Sequence, residues 1–298
     1  MLDELAAAIA RHGDDWWSDT AVPRLRLVRL DEPITPIDLL YEPMICFIVH
    51  GSKSSVAGDR SWTTGSGEML FNSLVLPVTS TFERLPYRSA VLRIDGTMLA
   101  DLLLELDGTD PVTLTGPEPE PGGQITAPMT PEIVDAVTRW VRLLDSPDDI
   151  RPLANRIEGE ILYRLLGSPL GPVLRHFTLA DTAAARVRTA ARWICEHYTE
   201  PLVIEKIAAV AHMSPATLHR HFKSATGMSP LRFQKHLRLQ EARRRLLAGD
   251  TTAAVVAEAV GYASATQFNR EYRRAYGLPP GQDAARLRDR LVAAGRAR

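Results

Sequence analysis

The chain has 298 residues, 45% apolar and 24% charged, which is length for about two domains, each able to bury its own core. Its net charge of −1 hides a split. Residues 1–180 hold 15 Lys and Arg against 26 Asp and Glu (−11), and residues 181–298 hold 20 against 10 (+10). Such asymmetry suggests a nucleic-acid partner for one half only, the basic one. An anionic membrane surface, or the acidic half itself, would also meet that charge.

No run of 18 apolar residues is present, so no membrane span is expected. The first residues, MLDELAAAIARHGDDWW, place acids where a secretory signal needs positive charge; they read as an amphipathic helix. Cys46 and Cys195 are too few and too far apart for a disulfide framework or a zinc site. A reduced, cytoplasmic protein is expected.

From residue 24 onward the periodicity changes. RLRLVRL (24–30) alternates, and short apolar runs follow at 44–51, 54–58, 60–64, 68–73, 79–85 and 90–95, most of them bounded by Gly, Pro, Ser or Asp. Strands so close together leave no room for crossover helices, which implies an antiparallel sandwich or small barrel. Residues 97–108 then read as a helix ending at a glycine. A small barrel can hold one ligand in its mouth, and Cys46, Phe47, Trp62, Phe71 and Phe82 are the candidate liners, each equally suited to the core. Cys46 reads as a small buried hydrophobe; a reactive thiol would need an activating base, and the nearest in sequence, Lys53, is remote along the strand. His50 has no histidine partner nearby, so no metal and no cofactor are expected. Ser73, His50 and Asp95 supply the residue types of a hydrolase triad without a nucleophile elbow, so no catalytic residue is assigned.

YEPMICFIVHGSK (41–53), LPVTSTF (76–82), LPYRSAVLRID (85–95) and EGEILYRLLGSPLG (158–171) resemble the N-terminal domain of one branch of the AraC-type regulators. The resemblance implies a cupin-like double-stranded β-barrel. His50 departs from it, standing where Gln is expected before the Gly-x-Lys.

Residues 109–128 are rich in Pro and Gly and read as a connector. Helices follow at about 130–144, opened by Thr130-Pro131, and at 149–166, closed by Gly167. Their apolar stripes either cover the barrel or make a dimer interface; the resemblance implies a homodimer. Gly and Pro breaks over 167–182 set the main boundary, giving a barrel domain (1–127), a helical connector (128–180) and a C-terminal all-α domain (181–298). The fold class is therefore α+β with two domains.

The basic half opens with a helix over 183–198, capped by Asp181 or Thr182, whose buried stripe includes Cys195. It then carries one pattern twice. IAAVAHMSPATLHRHFKSATGMSP and VAEAVGYASATQFNREYRRAYGLPP align without a gap from Ser214 and Ser264, pairing Leu218 with Phe268, Arg220 with Arg270 and Phe222 with Tyr272. Each copy is a helix, a short turn and a second helix, at about 203–226 and 252–276, bridged by a helix over 229–248 that is roughly 30 Å long. A serine N-cap before the second helix of each copy and a glycine after it give helix-turn-helix geometry, which puts that helix's N-terminal part into the major groove. Helical phase turns Leu218, Phe222 and Ala225, and likewise Phe268, Tyr272 and Ala275, inward. The DNA-facing candidates are Ser214, Ala216, Thr217, His219, Arg220 and Lys223, then Ser264, Thr266, Gln267, Asn269, Arg270 and Arg273. Arginine can read guanine and Gln or Asn can read adenine, while Lys and Ser suit phosphate. Arg243, Arg244 and Arg245 form a charge run whose ordinary use is a solvated face.

The repeated Leu-x-Arg-x-Phe and Phe-x-Arg-x-Tyr, the two Gly-x-x-Pro ends and the Ala-x-x-x-Gly-Tyr between them resemble the AraC/XylS-type DNA-binding domain over about residues 186–286. After Pro280 the chain departs from the aromatic-Arg pair of that family. The resemblance implies a DNA-binding transcription regulator, not an enzyme, whose partners are double-stranded DNA, a small organic effector, a second copy and, for an activator, RNA polymerase. Two rivals stand beside it: an effector-independent regulator whose barrel only dimerises, and a cupin enzyme tethered to DNA.

Overall fold

The computed structural model describes all residues except 14–15, 35, 108–123, 180–181, 250–251 and 297–298. The connector expected over 109–123, Gly108 as a helix end and Asp181 as a cap lie outside the described residues. The described chain separates into two compact units, Met1–Arg188 with Arg220–Gly227, and Thr189–His219 with Met228–Arg298. No described helix is long and apolar enough to cross a membrane.

The N-terminal unit is built on one antiparallel sheet of eight strands: β1 (Ser18–Asp19), β2 (Leu25–Leu30), β3 (Ile37–Tyr41), β4 (Met44–Ala57), β5 (Arg60–Gly65), β6 (Glu68–Asn72), β7 (Leu76–Arg93) and β8 (Gln124–Pro128). The order is β1-β2-β7-β4-β6-β8, with β3 also on β7 and β5 also on β4. Two strands carry this topology. β4 pairs with β6 through its first half and β5 through its second, and β7 likewise serves β3 and then β2. The runs expected at 44–51 and 54–58 are therefore one strand, as are those at 79–85 and 90–95. Their polar punctuation bends the strands without ending them: the β4–β7 register shifts between Ile48 and Lys53, where β-bulges absorb extra residues. β3 and β8 were not expected; β8 lies in the stretch read as connector.

One face of the sheet is apolar. Ile45, Phe47, Val49, Met69, Phe71, Ala90 and Leu92 share a core with α1 (Leu2–His12), α3 (Pro131–Arg142), α4 (Pro147–Leu166) and α5 (Gly171–Thr178). Ile133, Val137, Trp140 and Val141 of α3, with Ile161, Leu162 and Leu165 of α4, face this core, each fully buried side chain of that size contributing about 1.5–3 kcal/mol. The stripes thus cover the sheet. α5 was read as linker because of its Gly-Pro pair, but Pro172 occupies the first turn of a helix, where its missing N–H costs nothing. α2 (Gly96–Asp107) follows β7 as expected.

The C-terminal half is all helical: α6 (Ala183–Glu196), α7 (Ile204–Val210), α8 (Pro215–Thr226), α9 (Pro230–Ala248), α10 (Ala253–Ala259), α11 (Ala265–Tyr276) and α12 (Pro280–Arg296). The helix starts are chemically marked. The hydroxyls of Thr182, Ser214, Ser229, Thr252 and Ser264 each accept a backbone N–H from three residues on. α11 ends at Gly277, whose φ of 78° is the left-handed cap conformation. Leu239, Ala242 and Leu246 of α9, Val256 and Ala257 of α10, Phe268 and Tyr272 of α11 and Ala284 of α12 form one core. Ala275 does not join it; it is exposed, whereas its counterpart Ala225 is buried. Cys195 is half-buried, and burial pushes its thiol up to about 12, which leaves it unreactive at neutral pH.

Candidate DNA interface and sheet interior

On α8 the first helical turn is locked by Ser214, whose Oγ accepts from the Thr217 N–H at 3.2 Å and donates to Thr217 Oγ1 at 2.8 Å. Ala216, His219, Arg220 and Lys223 are exposed, and Thr217 is half-buried. The sequence-derived inward face holds, with Leu218, Phe222 and Ala225 buried. On α11, Ser264 caps the helix through the Gln267 N–H at 3.4 Å. Thr266, Gln267, Asn269, Arg270 and Arg273 are exposed around the buried Phe268 and Tyr272.

One residue of this region was missed. Glu271 accepts hydrogen bonds from Lys235 Nζ (2.8 Å), Tyr262 Oη (2.9 Å) and Gln267 Nε2 (3.1 Å). Burial pushes its carboxyl up, but those donors, Lys235 first, outweigh burial and hold it below the ordinary range. It therefore ties α9 to α11 and fixes the amide of Gln267. The i,i+4 spacing of Gln267 and Glu271 was the available signal.

The arginines of α9 are occupied inside the domain. Arg243 pairs with Asp283 at 2.8 Å; Asp283 is buried and also accepts from Tyr272 Oη at 3.0 Å. Arg244 and Arg245 both pair with Glu241. Arg238 donates to three carbonyls, those of Tyr198 (2.6 Å), Gly261 (2.7 Å) and Glu200 (2.8 Å). It thereby ties the α6–α7 loop and the turn before α11 to one helix. Arg238→Met keeps the stem and removes the donors, so an unfolding free energy lower by about 1.5–3 kcal/mol is expected in urea titration. A change within experimental error would remove this tie from the domain's framework.

In the N-terminal unit, opposed residues on neighbouring strands share a face. Cys46 opposes Val91, Lys53 opposes Phe82 and Thr64, and Ser55 opposes Ser80 and Trp62. This is the face opposite the helix-covered core. The five candidate liners therefore divide: Cys46, Trp62 and Phe82 lie on the interior face, while Phe47 and Phe71 belong to the core under the helices. The interior face also holds a polar cluster. Lys53 Nζ donates to Tyr41 Oη at 3.1 Å and lies 3.5 Å from Cys46 Sγ. Tyr41 Oη bonds Ser80 Oγ at 3.0 Å and Ser55 Oγ at 3.3 Å, and Cys46 Sγ lies 3.8 Å from Tyr87 Oη. All six side chains are buried, Lys53 included at 6% exposure.

Lys53 is thus not remote from Cys46. Seven residues of extended strand would put the two on opposite faces and about 23 Å apart. The register shifts at His50–Lys53 return both to one face and bend the strand. Burial works against the Lys53 ammonium, but its neighbours Cys46, Tyr41 and Tyr87 outweigh burial and hold Lys53 well above the ordinary lysine range. Burial first, and then its neighbour Cys46, likewise raises the Tyr87 phenol. His50 faces elsewhere, with Nε2 3.2 Å from Asp3 Oδ1 of α1.

A bent antiparallel sheet with a polar interior, followed by two capped and cored helix-turn-helix units, defines a two-domain helix-turn-helix protein. Residues 21–173 match the family model for the AraC-type transcriptional regulator N-terminus, and residues 207–286 match a helix-turn-helix domain. The chain belongs to the AraC-type transcriptional regulators. Among curated relatives, it is 30% identical over 159 residues to the HTH-type transcriptional activator RhaS of Klebsiella pneumoniae, covering 52% of this chain and 54% of RhaS. It is 42% identical over 79 residues to the HTH-type transcriptional regulator MtrA of Neisseria gonorrhoeae, covering 26% of each. The chain thus spans about half the length of RhaS and less of other curated relatives. Its fold is similar to that of Vibrio cholerae ToxT with unsaturated fatty acid bound, at a TM-score of 0.55 and 12% identity over 87% of this chain and 94% of that one.

Proposed function

We propose that this protein is a sequence-specific DNA-binding transcription regulator, with two helix-turn-helix units reading the duplex and a sheet domain that takes a small organic effector. The observation that carries the reading is α11, a capped helix anchored by Phe268 and Tyr272 that exposes Thr266, Gln267, Asn269, Arg270 and Arg273 together. α9 has 19 residues, about 28 Å of helix, near the ~34 Å of one duplex turn, which suits two units in successive major grooves. Membership of the AraC-type family supports the same reading, and the description of RhaS as an activator supports activation; an activator's further partner would be RNA polymerase. The effector reading draws on the polar interior around Lys53 and on ToxT, whose bound fatty acid shows that this fold can hold a small organic molecule. The protein acts as a non-enzymatic, cytoplasmic homodimer. Since the stripes of α3 and α4 cover the sheet, the dimer surface is sought on other residues.

Gel shifts of the full chain on genomic fragments test this directly; the absence of any specific complex at moderate salt from folded protein would end the reading. Arg270→Ala is expected to weaken specific binding by about 1–3 kcal/mol while leaving non-specific affinity nearly unchanged. Arg220→Ala should do less, because α8 presents Ala216 where α11 presents Thr266. Equal losses on specific and non-specific DNA would demote Arg270 to a phosphate contact.

A further inference from the structure

A buried lysine costs several kcal/mol of desolvation unless an anion or a reaction accounts for it. Among the described residues, Lys53 hydrogen-bonds Tyr41 Oη and Cys46 Sγ and no carboxylate. Of the two groups touching Lys53, the thiol is the one with a reversible oxidation chemistry. The result is a cysteine sulfur beside a primary amine, 3.5 Å apart, in a closed interior. The chain's other thiol, Cys195, lies in the other compact unit and is held as the unreactive thiol form.

We propose that Cys46 and Lys53 form a reversible oxidation site, in which a peroxide oxidises the thiolate and the lysine amine then closes a Sγ–Nζ bridge. The thiolate attacks one peroxide oxygen: an S–O bond forms, the O–O bond breaks, sulfur loses two electrons and hydroxide leaves. The Lys53 ammonium protonates that hydroxide, giving water and a neutral amine. The amine then attacks the sulfenic sulfur: an S–N bond forms, the S–O bond breaks, and the departing oxygen takes a proton from nitrogen as a second water. Thiolate, ammonium and one peroxide thus give one sulfenamide and two waters. Sulfenic acids are otherwise resolved by a thiol or a backbone nitrogen. Here burial excludes soluble thiols, and Nζ is the amine already at hand. A peroxide, close to water in size, is the oxidant such an interior admits. An external thiol reaching the opened site would reverse the bridge by attack on sulfur, restoring the amine.

The site can be read without any DNA. The folded full chain is treated with dilute hydrogen peroxide, denatured in an alkylating agent and mapped by mass spectrometry after trypsin. The expected product lacks two hydrogens, resists alkylation at Cys46 and is no longer cut after Lys53, so that residues 30–60 replace 30–53. Dithiothreitol restores the original map. Lys53→Arg keeps a cation but not this amine; Cys46 should then gain two oxygens as a sulfinic acid without a bridge. Normal cleavage after Lys53 in oxidised wild-type protein, or oxidation of Cys195 ahead of Cys46, would overturn the proposal. If Lys53→Arg does not fold, the wild-type map alone decides. A gel shift of the reduced protein tests the regulator reading separately, so failure of one leaves the other standing.

Discussion

Replacing Glu158 with alanine should cost about 3–5 kcal/mol of folding stability in the N-terminal unit. Glu158 lies on α4 with 1% of its side chain exposed, and its carboxylate accepts from Arg24 Nε at 2.7 and 2.9 Å and from Nη2 at 2.7 Å. Arg24 begins the approach to β2 with a left-handed φ of 61°, unusual for a residue with a side chain, and its Nη2 also donates to Asn155 Oδ1 at 3.1 Å. The pair thus pins the start of the sheet to the helix that covers it. Burial pushes the Glu158 carboxyl above its ordinary value, and Arg24 pulls it down without fully compensating. Attraction is therefore not the main stake. Removing the carboxylate strips a mostly buried guanidinium of its three charge-assisted hydrogen bonds and leaves it only Asn155 and the more distant Asp95, 3.8 Å away, and that under-compensated charge is the larger cost. A consequence distinguishes this account from simple loss of packing. Arg24→Met together with Glu158→Leu should recover most of what Glu158→Ala loses, since neither charge is then stranded. Urea titration of the two variants measures both effects; a double variant no better than the single would show that the charges matter less than the shape they fill.

What the sequence made legible follows from how local the signal was. The inward faces of α8 and α11 were readable because 3.6-residue phase fixes which side chains meet, and Leu218, Phe222, Phe268 and Tyr272 are all buried. The caps were readable because a serine three residues ahead of the N–H that donates to it is a local event. Ala275 was misplaced for a related reason: phase assigns a direction, but only the neighbour supplies burial. In the sheet the period is two, and adjacent residues cannot share a face. Cys46 and Phe47 were grouped as liners although the structure turns one inward and the other to the helices. The tie through Glu271 and the approach of Lys53 to Cys46 were harder. The first joins two helices and the turn between α10 and α11. The second depends on a bulge, and a bulge has no signature in an apolar run beyond a glycine that could equally have ended the strand.

That glycine is Gly51, and Gly51→Ala is expected to lower stability by about 2–4 kcal/mol. Its φ of +77° already costs any side chain of L configuration, and a Cβ there would fall inside the Arg84 carbonyl oxygen, 2.8 Å from the Pro86 oxygen and 3.1 Å from Tyr87 Cα. These are backbone atoms of β7, paired with β4 on either side of the bulge, so they cannot swing away as a side-chain tip would. The protein can respond by unfolding more readily or by straightening β4. Straightening by one residue would turn Lys53 or Cys46 to the opposite face. The Lys53–Cys46 contact and the topology of the sheet thus rest on the same residue. Thermal denaturation gives the size of the effect, and reaction of the native protein with a small alkylating agent reports the route. A strand that has slipped exposes Cys46 well below the melting temperature, whereas strain alone leaves the thiol protected until the unit unfolds. Wild-type stability in Gly51→Ala would mean that β4 tolerates a different path between its two halves.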